Sequence, residues 1–277
     1  MKSKILNKTE WSKKQISFVQ SKYEQGLTRN EISKEFNLKF KFNRSPDSIK
    51  HCLDVYCKDV MVELPKVLFV DIETRPAKAY VWKQYDNNID LSMLIDDTSM
   101  LSFCAKWAGD PESKAIYKDM RGKEKRLHDT KDMVKILWKL LDEADIVVWQ
   151  NGNRFDKGHI NNEFIKHKLG PPSTYKTIDT LLVSRSQFNF FSNKLEFLTK
   201  KLRVNRIKDS HGDFPGFKLW DQCMKGNKKA WESMKKYNII DVVALEMVFL
   251  EFLPYIKNKN SVRVQRVYDS LNKKAAK

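Results

Sequence analysis

Apolar residues fall along this chain in two rhythms. Val67-Leu68-Phe69-Val70 is an unbroken apolar run of strand length, and Asp145 to Trp149 ends in a second. Continuous runs of this kind predict strands covered on both faces. Further short strands are predicted at Met100 to Lys106 and Ser113 to Tyr117. The period then changes. Met133, Ile136, Leu137 and Leu140 mark one face of a helix from Lys131 to Leu141. Phe155 to His167 reads as a helix stopped by Gly170-Pro171-Pro172. After Thr177 the chain is mostly helical and closes with a long helix from Lys228 to Tyr255. Strands first, then a helix, another strand and more helices define an α/β domain built in layers.

The first 60 residues follow another plan. Ile16, Val19 and Tyr23 are spaced for one helix face, widened by Phe18 and ended by Gly26. Thr28-Arg29-Asn30-Glu31 is a capping box opening a second helix through Phe36. Ser45-Pro46 opens a third, with Ile49, Cys52, Leu53 and Tyr56 as its apolar stripe. Three short helices resemble a helix-turn-helix or Myb-like DNA-binding module, with Arg44 and Lys50 available to phosphates, or else form a plain helical appendage. The departure is the eight-residue connector Asn37 to Arg44, where that motif has three or four. Glu63-Leu64-Pro65 marks a junction. The expected organisation is a small all-α module over 1–63, the α/β domain over 64–256, and a basic tail over 257–277. With few large apolar residues, the tail is expected to fray or lie on the surface.

Charge adds a partner to this picture. The 277 residues hold 52 basic and 35 acidic side chains, a net of +17. Residues 1–63 have 13 basic against 8 acidic, and residues 257–277 have 7 against 1. Lys194 to Lys208 has six basic residues against one acidic. A lysine-rich composition alone accounts for part of the total, but the excess points to a polyanion, and nucleic acid is the commonest. No apolar run approaches the ~18 residues of a membrane helix. The basic start MKSKILNKTEWSKK lacks the apolar stretch of a signal peptide. Cys52, Cys57, Cys104 and Cys223 are too few and scattered for a disulfide scaffold. A reduced, cytoplasmic protein with no membrane partner is expected. No phosphate-binding glycine loop is present, so no nucleotide triphosphate is expected.

Four acids stand where an ordinary surface acid is awkward. Asp71 and Glu73 end the first apolar strand and, at period two, face the same way. Two such carboxylates repel unless a cation lies between them, and hard divalent cations prefer oxygen ligands. Taken alone, they also read as solvated strand-edge acids. Asp156 follows a strand end and the turn Asn151-Gly152-Asn153, where α/β sheets collect sites; complementing a helix dipole is its ordinary role. Asp241 and Tyr237, four apart, share a face of the long helix amid Val242, Val243, Leu245, Val248 and Phe249. An acid in that company needs a partner, and a lysine is the bland choice. Asp179 is read as the N-cap of a helix from Thr180 and not as a fifth site acid. His51, Cys52 and Cys57 make no convincing zinc set. His211-Gly212-Asp213 reads as a turn.

The order Asp-Ile-Glu, Asn-x-x-x-Phe-Asp and Tyr-x-x-x-Asp resembles the three motifs of the DEDD 3′–5′ exonucleases, which have a ribonuclease-H-like fold. Tyr237 resembles the DEDDy branch, which includes the proofreading domains of family B DNA polymerases. Asp71-Ile72-Glu73-Thr74-Arg75-Pro76, Tyr80-Val81-Trp82, Ala144 to Val148 and Tyr237 to Val242 are similar to free-standing exonuclease-like proteins of phages and bacteria. The likeness covers roughly 66–256. It implies a mixed sheet flanked by helices and a two-metal site, with Mg²⁺ as the ion and Mn²⁺ able to substitute. It implies that Asp71 bridges both ions, Glu73 and Asp241 hold the ion that activates water, Asp156 supports the second, and Tyr237 orients the water. It also implies that Asn151 and Thr74 lie near the substrate strand. Tyr80, Trp82, Tyr85 and Trp107 offer faces for stacking bases, or else pack in the core. The expected function is 3′–5′ exonuclease action on nucleic acid, DNA favoured over RNA. Alternatives are an endonuclease or ribonuclease on the same core, or a DNA-binding accessory protein with a silent site.

Overall fold

A computed structural model of the chain describes residues 11–25, 27, 29–57, 64–85, 88–204, 213–256 and 259–275. It divides into two compact units, Met1–Leu64 and Pro65–Lys277.

The first unit is all-helical: α1 (Lys13–Glu24), α2 (Arg29–Phe40) and α3 (Pro46–Tyr56). Ser12 and Gln15 form a reciprocal capping box on α1, and Ser45 caps α3 by accepting from Ser48 N–H. Gly26 and the Thr28 of the expected box on α2 lie outside the described residues. Val19, Ile32, Phe36, Ile49 and Cys52 close the core. Helix α2 runs four residues beyond the expected Phe36, so only residues 41–45 connect it to α3. Asn37 staples this connector: its Oδ1 accepts from Arg44 N–H at 2.7 Å and its Nδ2 donates to Arg44 C=O at 3.0 Å. Arg44, expected among the phosphate contacts, lays its guanidinium over Trp11, 4.4 Å from the ring centroid. Tyr56, expected on the buried stripe, is exposed. Lys50 is exposed on α3.

The second unit holds β1 (Val67–Arg75), β2 (Lys78–Ala79), β3 (Leu94–Asp96), β4 (Ser99–Trp107), β5 (Ile116–Asp119), β6 (Ile146–Trp149) and β7 (Lys176–Asp179). Its helices are α4 (Lys131–Glu143), α5 (Asp156–Lys166), α6 (Thr180–Gln187), α7 (Leu195–Lys201), α8 (Lys218–Met224), α9 (Lys228–Phe252) and α10 (Lys259–Ala275). Five strands form one mixed sheet in the order β5-β4-β1-β6-β7; β1 pairs antiparallel with β4 and parallel with β6. The apolar runs become central strands because both faces are covered. Leu68, Val70 and Ile72 pack with α4 and α5, while Val67 and Phe69 pack with α9 and α10. Alternation therefore carries Asp71 and Glu73 onto the α9 side.

Three details differ from expectation. The edge strand β5 starts at Ile116, not Ser113, and β7 was not anticipated. The basic segment 257–277, expected to fray or lie on the surface, carries α10, whose Val264, Val267 and Tyr268 are buried. Trp107 packs against the core, whereas Tyr80, Trp82 and Tyr85 are exposed, Trp82 at 94%. These three belong to an excursion that leaves the end of β1. Its base is fixed by buried Arg75, which pairs with Asp96 and donates Nε–H to Ser99 Oγ at 2.6 Å. All four cysteines are buried thiols. No helix among the described residues is long and apolar enough to cross a membrane.

Candidate active site

Strand β1 delivers Asp71 and Glu73 two residues apart on one face, and a bulge follows between Glu73 and Thr74. Helix α9 crosses the same side and delivers Asp241. One carboxylate oxygen from each of Asp71, Glu73 and Asp241 lies within 4.8 Å of the others. Tyr237 lies one turn before Asp241 and hydrogen-bonds to it. Burial drives the Tyr237 phenol far above its ordinary pKa, and the charges of Asp241, Glu73 and Asp71 push it the same way. Its hydroxyl therefore keeps its proton and acts as a hydrogen-bonding group, not as a phenolate base.

Asp156 opens α5 and is 4% exposed. It is not a member of the three-acid group. Its Oδ1 accepts from Ile72 N–H at 3.3 Å, between the two β1 acids in sequence. Burial raises its carboxyl to about 7; backbone N–H bonds oppose this and nearby Asp179 adds to it. The turn before it is tightly specified. Asn151 adopts φ 62°, a left-handed conformation that Asn tolerates well. A Cβ on Gly152 would sit 2.1 Å from the Trp149 ring, so only glycine fits. Asp179 accepts from the N–H groups of Asn151 (2.9 Å), Asn153 (3.1 Å) and Leu181 (3.0 Å). It is the N-cap of α6, as expected, and it also builds the turn that presents Asp156.

The remaining expected residues are less central. Thr74 is half-buried just after the bulge, paired with Met100. Asn151 is half-buried, in the turn. Arg44 and Lys50 belong to the helical unit. Burial raises the Cys52 thiol to about 12, and Cys57 adds to the rise. His211 and Gly212 lie outside the described residues.

Two residues that sequence reasoning missed hold the acids. Asn238, fully buried on α9, donates Nδ2–H to Asp71 Oδ2 and to Glu73 Oε1, each at 3.4 Å. Trp220 of α8 donates Nε1–H to the other oxygen, Glu73 Oε2, at 3.1 Å, and packs edge-on against Tyr237. The available signal was the spacing: Asn238 and Asp241 lie three apart in Tyr237-Asn238-Ile239-Ile240-Asp241, so they share a helix face. Three converging carboxylates with oxygens this close suit a hard divalent cation, and the donor set fits Mg²⁺ or Mn²⁺.

A mixed sheet in this order, with two acids within its central strand, which runs on past them to Arg75, and a third on the long helix α9, defines a nuclease-type α/β core. The sequence model of the RNase_H superfamily matches residues 68–252, and the chain belongs to that superfamily. Among solved structures it is similar to the family B DNA polymerase from the hyperthermophilic archaeon Pyrobaculum calidifontis, at 13% identity and a TM-score of 0.44. That match covers 68% of this chain and 24% of the polymerase chain. No curated protein matches this chain.

Proposed function

We propose that this chain is a metal-dependent 3′–5′ exonuclease of the DEDDy type, acting on DNA in preference to RNA. The observation that carries the reading is the convergence of Asp71, Glu73 and Asp241 with the Tyr237 hydroxyl hydrogen-bonded to Asp241. Two divalent cations held there, Mg²⁺ or Mn²⁺, would supply an activated water and neutralise charge on the scissile phosphate. Asp71, Glu73 and Asp241 would hold the cations, and Asp156, beside Ile72, would support them. Tyr237 keeps its proton and orients the attacking water through the hydroxyl. Asn151 and Thr74 flank the 3′ nucleotide. Exposed Tyr80, Trp82 and Tyr85 on the excursion beyond β1 offer faces to unpaired bases. The helical unit contributes duplex or branched-DNA affinity through exposed basic residues such as Lys50. Four buried thiols suit work in a reducing cytoplasm.

End-labelled linear single-stranded DNA, the same sequence as RNA, and a circular single strand test this reading with Mg²⁺, Mn²⁺ or EDTA. Stepwise shortening from the 3′ end, faster on DNA, with the circle intact and EDTA silencing the reaction, is the expected result. Cutting of the circle makes the protein an endonuclease. Binding without metal-dependent nucleotide release makes it an accessory protein.

A further inference from the structure

We propose that Asn238, locked in one orientation by Ser102, is a positioning residue that preforms the cation site by holding Asp71 and Glu73. The proposal rests on the reading of those acids as cation ligands. A fully buried primary amide must satisfy both of its ends. Ser102, also fully buried, lies on β4 directly opposite Glu73 of β1. Its Oγ–H donates to Asn238 Oδ1 at 2.6 Å. The opposite orientation of the amide would set Oδ1 against Asp71 Oδ2 and Glu73 Oε1, oxygen facing oxygen. The orientation with Nδ2 toward both acids is therefore the one this surrounding allows.

The residue type matters. Three carboxylates within 4.8 Å repel one another before a cation arrives. A lysine at 238 would quiet that repulsion by pairing with the acids and so compete with the cation. An aspartate would add to the repulsion. An amide donates to both acids while leaving their charge intact. With Trp220 on the second oxygen of Glu73, that carboxylate is gripped from two helices, and its plane is set before the ion binds. Groups that hold metal ligands in this way typically contribute 10–100-fold to affinity.

The test measures Mn²⁺ dissociation constants by calorimetry, and the rise in melting temperature on adding Mn²⁺, for wild type and three variants. Asn238→Ala should weaken Mn²⁺ binding by about 10–100-fold. Ser102→Ala should weaken it less, because the amide keeps its donors and loses only the group that orients it. Val248→Ala, buried in the α9 core away from these contacts, should lower the melting temperature and leave Mn²⁺ affinity unchanged. In nuclease assays, raising the Mg²⁺ concentration should restore much of the Asn238→Ala rate, as expected for an effect exerted through metal affinity. Wild-type Mn²⁺ affinity in Asn238→Ala would overturn the proposal. So would an equal loss in Val248→Ala. If Asn238→Ala does not fold, unchanged affinity in Ser102→Ala overturns it instead. A wild-type protein that binds no Mn²⁺ would sink the cation-site reading itself, a result distinct from either.

Discussion

Helix α9 meets the sheet with a buried acid at each of two places, and the two are built differently. Glu246 faces Lys106 of β4, about 13 Å along that strand from Ser102. Its Oε2 is ion-paired with the Lys106 ammonium, and its Oε1 accepts from Tyr268 O–H at 2.7 Å and Gly109 N–H at 2.8 Å. Lys106 also donates to Asp110 C=O at 2.7 Å. One acid meets one cation, and the surplus hydrogen-bonding capacity goes to α10 and a turn. Five residues earlier, Asp241 joins two more acids, with neutral donors such as Asn238 and Trp220 on their oxygens. The first arrangement carries its counter-charge within the fold and reads as structure. The second gathers like charges in one place and reads as a receptacle for an ion from solution.

Mirror substitutions at the two places break this comparison most directly. Asp241→Asn should reduce Mg²⁺-dependent nuclease turnover by at least about 100-fold, the upper range for mere supporting groups. Its melting temperature in EDTA should stay level or rise, because a like charge has gone. Glu246→Gln should do the reverse. Leaving the Lys106 charge buried and unpaired costs about 3–5 kcal/mol, or roughly 10 °C for a unit of this size. Turnover measured well below its melting point should stay near wild type. Near-normal turnover in Asp241→Asn, or lost turnover in intact Glu246→Gln, would erase the distinction.

A smaller effect sharpens it through pH. Asp156 is raised to about 7 from an ordinary 3.8. Between those values the folded protein keeps a proton that the unfolded chain has released. The stability this group contributes therefore falls as pH rises from about 4 and is gone above about 7. Asparagine cannot lose that proton. In EDTA, Asp156→Asn should melt a few degrees above wild type at pH 8, with the gap closing toward pH 4. Parallel melting curves across that range would mean Asp156 is ionised in the folded state. The smallest expected change is Tyr237→Phe, which removes one hydroxyl. Loss of the hydroxyl's bond to the neutral attacking water predicts a fall of about 2–10-fold in single-turnover rate, with substrate affinity preserved. An unchanged rate would remove the hydroxyl from the chemistry.

Much of this was legible because it is local. The apolar run ending in Asp71 and Glu73, the Asp179 cap and the apolar surroundings of Asp241 are short-range patterns, and the fold class follows from their order. Ser102, Asn238 and Trp220 were not legible as a set, because their contacts join residues 136 to 167 positions apart. Such contacts depend on strand register and on how α8 and α9 settle, which periodicity does not encode. The C-terminal helix was masked by its lysines. Val264, Val267, Tyr268 and Leu271 do form a helical stripe, but basic composition outweighed it. Strand β7 is four residues long and includes a lysine and a threonine, too weak a signal to separate from its surroundings. For Tyr80, Trp82 and Tyr85, residue type alone decides nothing between core and surface.

Tyr237, Asn238, Asp241 and Glu246 all ride one uninterrupted helix of 25 residues capped by Asn227. Each residue added to a helix turns everything beyond it by about 100° and advances it ~1.5 Å. A single insertion between Asn238 and Asp241 would swing Asp241 away from β1 and carry Glu246 off Lys106 in the same stroke. The helix is thus a ruler whose length divergence cannot edit piecemeal. Lineages descended from this gene should vary freely in length beyond Arg75, where the chain leaves the sheet. Between Tyr237 and Glu246 they should differ by substitution alone.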